Sequence, residues 1–224
     1  MSTSNPGYIL IELDVEHGDQ IGVLDFCAHV LRGGGASVHA WAPAGRVSGL
    51  EPGTVAAGML IASLADQDAI DPLVNQSLLP ALRQRLPAAR APKILKINGL
   101  PVQGLPELPD IPTVASVPRP PVGLRNALMV IQGSANNPAQ MDKYRDVILP
   151  MIKERGGYYE VFALADGEVT ALSGEWSEQI FAISRWPTRA SAEDFWFADR
   201  YQNVAIPLRV GFGQFTVHLL DAVE

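Results

Sequence analysis

The feature that most constrains this chain is a stretch it carries twice. Residues 154–176 read ERGGYYEVFALADGEVTALSGEW, and residues 32–53 read RGGGASVHAWAPAGRVSGLEPG. Placed side by side without a gap, Gly34-Gly35 falls on Gly156-Gly157, Gly45 on Gly167, Val47 on Val169 and Leu50 on Leu172. Ser48 then stands against Thr170. Each copy reads as a helix end, a strand, a tight turn and a second extended segment. A few identities at one offset gain weight only if the flanking elements repeat as well.

They do. Tyr8 to Val15 alternates Ile9, Ile11, Leu13 and Val15 with Tyr8, Leu10, Glu12 and Asp14, the period-two pattern of a half-buried strand. A helix follows from about Asp19 to Leu31, with Ile21, Leu24, Cys27 and Leu31 on one side, and Gly33-Gly34-Gly35 stops it. Ser37 to Ala42 and Val55 to Ser63 read as strands. Asp71 to Arg85 reads as a helix with Pro72 in its first turn and a break at Pro80, and Pro92 to Asn98 as a strand. The second pass begins with a strand at Asn126 to Gln132. Asn137 then caps a helix with Pro138 at its first position, and Met141, Tyr144, Ile148 and Met151 form its apolar stripe. Strands follow at Tyr158 to Leu164 and Gln179 to Trp186. A helix capped by Ser191 runs through Phe195 and Phe197, and the strand Phe212 to Leu220 comes last.

The order β-α-β-β-α-β, twice, predicts an α+β protein built from tandem ferredoxin-like repeats. Such a unit covers one face of its sheet with two helices and leaves the other bare. Two units in one chain can bury their bare faces against each other, as an intrachain dimeric α+β barrel. The expected division is residues 1–100, a connector at 101–123 and residues 124–224. Seven prolines between Leu100 and Gly123 rule out a continuous helix or central strand there, and its Leu, Ile and Val residues should lie along the protein.

Composition narrows the function. Apolar residues make up 47% of the 224, charged residues 18%, and the net charge is -7 with no basic cluster, so nucleic acid is excluded as a partner. The single cysteine, Cys27, sits in an apolar helical pattern as a small hydrophobe. The start, MSTSNPGYILIELD, reads as neither a signal peptide nor a membrane span, so a cytoplasmic location with no membrane partner is expected. Walker, GxGxxG, GxSxG and HExxH motifs are missing, and RGGGAS follows a helix where a phosphate cradle would open one. No Cys/His/carboxylate cluster has ligand spacing, so neither a metal nor an organic cofactor is expected.

Residues 124–224 resemble the domain-of-unknown-function family 1330, in the dimeric α+β-barrel superfamily. The resemblance is carried by Gly156-Gly157 after a helix containing Pro150, by Leu172-Ser173-Gly174-Glu175-Trp176, and by Trp186-Pro187-Thr188. Asp194-Phe195-Trp196, Arg200-Tyr201-Gln202 and Arg209 complete it. The first half matches by layout, as a divergent copy. It has Leu50-Glu51-Pro52-Gly53 in place of the LxGxW string, and no RYQ follows its third strand. The resemblance implies two facing sheets and a pocket between sheet and helices. Relatives in the wider superfamily include cofactor-free monooxygenases, lactone isomerases, polyketide cyclases, lyases and haem enzymes, so the fold alone leaves function open.

Candidate site residues come from strand alternation. Phe215, Val217 and Leu219 should face helices, which turns Gln214, Thr216 and His218 toward the opposite sheet. By the same reasoning His39 and Trp41 oppose Val38, Ala40 and Ala42, and Tyr8 and Glu12 oppose Ile9, Ile11 and Leu13. His39, His218, Glu12 and Arg185 are the candidate catalytic groups. A histidine near a carboxylate in a dry cavity can act as a general base, and Arg185 can bind an oxyanion. Each also reads as a packing or ion-pair residue. Tyr8, Trp41, Tyr158, Glu160, Trp186 and Gln214 are candidate substrate contacts. Of the other histidines, His17 and His29 read as surface residues. Glu160 raises a conflict, because the ungapped offset sets it on Val38, on the face opposite His39. Either one face is misassigned or the offset slips.

The expected function is a small-molecule enzyme without organic cofactor. It would be an acid/base isomerase, cyclase or lyase acting on a carbonyl-bearing or aromatic metabolite of the kind natural-product pathways handle. The alternatives are a cofactor-independent monooxygenase and a non-catalytic small-ligand-binding or scaffold protein. A homodimer is compatible with each.

Overall fold

The computed structural model describes residues 5–14, 19–55, 57–86, 91–101, 109–118, 123–164, 167–211 and 213–223. Val15, His17, Asp166, Phe212 and residues 102–108 and 119–122 of the proline-rich connector lie outside them. The chain runs β1 (Gly7–Leu13), α1 (Gln20–Gly33), β2 (Ser37–Ala42), β3 (Ser48–Gly49), β4 (Gly58–Leu64), a helical stretch α2 (residues 67–83) and β5 (Lys93–Asn98). It continues with β6 (Ala127–Ala135), α3 (Pro138–Glu154), β7 (Tyr158–Ala163), β8 (Val169–Ser173) and β9 (Ile180–Trp186). Helices α4 (Arg189–Phe197) and α5 (residues 201–209) and strand β10 (Gly213–Asp221) complete it. Among the described residues, no helix is long and apolar enough to cross a membrane.

Two five-stranded antiparallel sheets result, in the orders β2-β4-β1-β5-β8 and β3-β10-β6-β9-β7. The last strand of the first sheet comes from the second half, and β3 of the first half edges the second sheet. Ser48 pairs with Leu219, while Thr170 pairs with Lys96. These exchanged arms are the extended segments of the repeated stretch, and they bind each half to the other through backbone hydrogen bonds. Apolar side chains fill three layers. Ile9, Ile11, Leu24, Leu31 and Leu60 pack the first sheet on α1 and α2, and Met129, Ile152, Trp186 and Phe195 pack the second on α3 to α5. Leu10, Ile61, Leu95, Val130, Phe181 and Ile183 fill the space between the sheets. A buried side chain of this size contributes ~1.5–3 kcal/mol.

Local chemistry departs from expectation at four points. The helical stretch α2 is not broken at Pro80. It widens into a π-turn over Leu73–Leu78 just before that ring, and the same device at Tyr201–Ala205 precedes Pro207 in α5. A wider turn relieves the clash and the missing donor that proline brings to an α-helix. The cap of α4 is Thr188, which makes a reciprocal capping box with Ser191. Next, the ungapped offset is one residue too long through the strand edges. The positive-φ glycines that end α1 and α3 are Gly35 (φ 86) and Gly156 (φ 70).

The fourth point follows from the third. The edge strands β2 and β7 each carry a β-bulge, between Val38 and Ala40 and between Tyr159 and Val161. The bulged residues, His39 and Glu160, therefore occupy corresponding positions. The extra residue lets two neighbours point to one side. Ala40 and Ala42 enter the space between the sheets, whereas Val38 and Trp41 pack against the helix-side core of the first half. Trp41 thus does not share a face with His39, and the Glu160 conflict is a slip in the offset. The carbonyls of both bulged residues accept hydrogen bonds from the ends of the last strands, Val223 N to His39 O and Leu100 N to Glu160 O, each at 2.8 Å. Of the connector, Ile111 and Val117 are buried, and Tyr159 N donates to Pro112 O.

Candidate functional site

Three clusters hold the chemistry of this fold. The first lies between the second sheet and helices α3 to α5. It is a cavity of about 50 Å³ walled by Met129, Met141, Phe162, Trp186, Trp196 and Phe215, with Tyr144, Tyr201 and Arg209 among its lining residues. Such a volume holds a few waters. Larger occupants need half-buried Met141 and Phe215 to shift. The Tyr144 and Tyr201 hydroxyls lie 3.1 Å apart. Arg209, 5% exposed, hydrogen-bonds Tyr144 and is stacked near the rings of Tyr144, Trp196 and Phe215. Its ion-pair partner is Glu51, which follows arm β3 out of the first half. The departure Leu50-Glu51-Pro52-Gly53 is therefore what reaches across to this cavity.

Burial pushes the Tyr201 phenol well above its ordinary value, and neighbouring Tyr144 adds to the rise. Burial likewise raises Tyr144, with Arg209 opposing. Both are neutral proton donors at neutral pH. For Arg209, burial acts downward, but the tyrosines and Glu51 outweigh it and its pKa is raised. At the floor Trp186 Nε1 donates to Ser184 Oγ at 2.9 Å. Trp186, a candidate substrate contact beside Arg185, points to the helix side of its sheet, into this cavity.

The second cluster is built on the two bulges. Arg185 donates to Glu160 through Nε (2.6 Å) and Nη2 (3.3 Å), and Nη2 also lies 3.1 Å from His39 Nδ1. His39 Nε2 stands 2.7 Å from Ser63 Oγ, and the imidazole stacks on Tyr8 with centroids 5.8 Å apart. Arginine only donates, so Nδ1 must accept, and in the neutral ring Nε2 then carries the proton toward Ser63. In this tautomer His39 cannot take a proton from the serine. Burial lowers the His39 pKa, Glu160 raising and Arg185 lowering it further. Burial raises Tyr8 and Tyr158, with Glu160 adding to both. The cluster thus joins Tyr8, His39, Tyr158, Glu160 and Arg185 as a neutral-histidine, ion-paired seam between the halves.

The third cluster lies between the sheets, in a cleft of about 450 Å³ lined by Glu12, Lys93, Gln132 and His218, among others. Glu12 pairs with Lys93 and accepts from Gln132 Nε2 at 2.5 Å. Phe215, Val217 and Leu219 pack toward the helices, and His218, 4% exposed, turns inward. Gln214 is exposed, on a neighbouring groove rather than in the cleft. The four candidate catalytic groups are therefore divided, His39 with Arg185 and His218 with Glu12. Among the described residues no group of three or more His, Cys, Asp or Glu is placed to hold a metal ion.

Strand alternation did not single out Tyr144, Tyr201, Arg209, Ser184 or Glu51. Tyr201 and Arg209 carry the family resemblance, and Tyr144 stands in the apolar stripe of α3. Their convergence on one cavity was the unread signal. Residues 126–223 match the family described as Domain of unknown function (DUF1330). No curated protein matches the sequence.

Among solved structures, the chlorite dismutase from Candidatus Nitrospira defluvii in complex with imidazole aligns over 100% of this chain and 93% of its own. Identity is 11% and the TM-score 0.54. An anthrone oxidase-like protein aligns over 100% and 93%, at 10% identity and a TM-score of 0.51. The chain shares its fold with these structures, the fold that the resemblance to the dimeric α+β-barrel superfamily leads one to expect. Haem, which some members of that superfamily carry, does not fit the cavity of the second half. Among the described residues no histidine lines it to ligate iron.

Proposed function

We propose that the chain is a small-molecule enzyme that works without an organic cofactor, and that its reaction takes place in the aromatic cavity of the second half. On this reading the halves are tandem ferredoxin-like copies, residues 1–100 and 124–224, and the first has diverged into a support. The observation that carries it is the string Glu51–Arg209–Tyr144–Tyr201 beside an apolar cavity. On this reading Arg209 stands against the Tyr144 oxygen, the Tyr144 and Tyr201 hydroxyls lie 3.1 Å apart, and Tyr201 turns its proton to a substrate oxygen. Hydrogen bonds polarised in series by a buried cation suit a developing enolate or phenolate. The reaction class is proton transfer next to a carbonyl, as in an isomerase, cyclase or lyase, with a water in the cavity taking the carbon-bound proton, because Tyr144, Tyr201 and Arg209 act as donors. His39 and Arg185 hold the seam on this reading, and Glu12 and His218 belong to a separate cleft.

A second reading has one observation in its favour. The same donors stabilise a carbanionic substrate, and an apolar-walled cavity beside it admits dioxygen, the requirement of a cofactor-independent monooxygenase. One experiment separates the two. Small enolisable ketones and phenols are incubated with the protein in D₂O, with α-proton exchange followed by NMR and oxygen uptake by electrode. Exchange without uptake supports the first reading, and uptake coupled to substrate loss supports the second. Turnover that survives Tyr201→Phe would place the chemistry elsewhere.

A further inference from the structure

The sheet wall of the aromatic cavity carries two hydroxyls that the architecture does not require. Tyr159 and Ser184 are paired residues of β7 and β9, and both line the cavity. Residues opposed on one face of an antiparallel sheet are side-chain neighbours. Ser184, 1% exposed, accepts from Trp186 Nε1, so its own proton is left to give, and no group among the described residues receives it. Tyr159, 3% exposed, makes no side-chain hydrogen bond among the described residues, and its oxygen is not sealed in the packing as Arg145 Nε is. Burial holds its phenol far above the ordinary value; Tyr144 adds to the rise and Arg145 opposes it. Tyr144 and Arg145 stand on α3, in the helix wall of the cavity, so the Tyr159 ring extends from the sheet toward that wall.

The first half supplies a control. Its matching pair, beside the same bulge, is Val38 and Ala62, neither with a polar side-chain atom. Valine and alanine therefore serve the sheet equally well. Buried hydroxyls with unused protons are destabilising unless a ligand meets them. Resting on the reading that the reaction takes place in this cavity, we propose that Ser184 and Tyr159 hold a second substrate oxygen. The site would then take small ketones that bear a hydroxyl or a further carbonyl on the carbon next to the carbonyl at Tyr201, or on the one after it. The short spacing follows from Tyr144, which lies 3.1 Å from the Tyr201 hydroxyl and also acts on the Tyr159 phenol. A hydroxyl both donates and accepts, so a pair of them suits a neutral oxygen of either kind.

The test is titration of the full chain, labelled with ¹³C-methyl methionine, with two isosteric pairs of ketones. Hydroxyacetone is set against butanone, and 4-hydroxybutan-2-one against pentan-2-one, with dissociation constants read from the Met129 and Met141 methyl shifts. In at least one pair the hydroxyketone should bind at least about tenfold more tightly, since only a site with groups to bond the hydroxyl distinguishes it from a methyl. Tyr159→Phe should reduce that preference severalfold and leave Tm unchanged or raised, because the hydroxyl it removes has no partner to lose. Adding Ser184→Ala should erase the preference, whereas Tyr201→Phe alone should weaken both members of a pair alike. Equal binding within both pairs overturns this inference and leaves the reading of the cavity standing, while no shift with any of the four ketones overturns both. A preference unchanged by Tyr159→Phe, or a lowered Tm in that variant, also overturns the inference.

Discussion

The spaces between sheet and helices in the two halves have the same walls and opposite contents. Where the second sheet presents Trp186 and Ser184 to its helices, the first, at matching register, presents Leu64 and Ala62. Around them the first half closes solidly on Leu24, Cys27, Leu31, Ile70, Val74 and Leu78, each without measurable exposure. Burial pushes the Cys27 thiol up to about 12, which makes it a packing group. The second half keeps a cavity and sets two phenols and a guanidinium beside it. Aliphatic residues are thus enough to hold this architecture together. The polar aromatic set is an added cost, because buried polar groups must each find a partner. What the first half contributes to that set is one carboxylate, Glu51.

The largest effect that would sharpen this contrast is kinetic. Tyr201→Phe should lower turnover by ~10²–10⁴-fold, the usual range for a general acid, with denaturant stability changed by about 1 kcal/mol or less. An equal loss of both would reduce the second half to a packing core like the first. Next comes the link between halves. Glu51→Ala leaves Arg209 buried without its anion and should cost about 2–3 kcal/mol in urea unfolding. Adding Arg209→Leu to that variant should recover much of the loss, and failure to recover would mean that Glu51 acts through something other than Arg209. Tyr144→Phe, which deletes one hydroxyl from the string, should cost about 1 kcal/mol.

The smallest effect concerns the seam. The folded-state pKa of His39 is lowered by burial and by Arg185 relative to the unfolded value near 6.5. The folded protein therefore resists protonation that the unfolded chain accepts. Its contribution to stability is complete above about pH 6.5 and is lost as pH falls through the folded value. The charged groups facing His39 are Arg185 and Glu160, with Tyr8 and Tyr158 beside them. Urea midpoints between pH 7.5 and 5 should fall less steeply for His39→Asn than for the parent. Identical slopes would show that the seam does not depend on the imidazole.

Much of this architecture was legible in the sequence, because strand alternation, caps and glycine stops are local. Asn137 and Pro138 open α3 as expected, and Phe215, Val217 and Leu219 face the helices. The bulges were not legible. One extra residue at His39 and one at Glu160 reverse the alternation beyond them, which is why Trp41 was assigned to the wrong face. The exchange of arms was also hidden, since β3 is only Ser48–Gly49 and its partner strand lies far along the chain. The aromatic cavity escaped for a third reason. Tyr144, Tyr201 and Arg209 sit on two helices and meet only through the packing of α3 on α5.

Methionine methyl NMR tests the contrast between halves most directly. Met129 and Met141 line the second half's cavity, and Met59 lies in the core between the sheets. With ¹³C-methyl methionine and a small cyclic ketone as probe, the Met129 and Met141 resonances should shift with saturation while Met59 stays fixed. Shifts confined to Met59, or none at the two cavity methionines, would contradict the assignment of the ligand site to the second half.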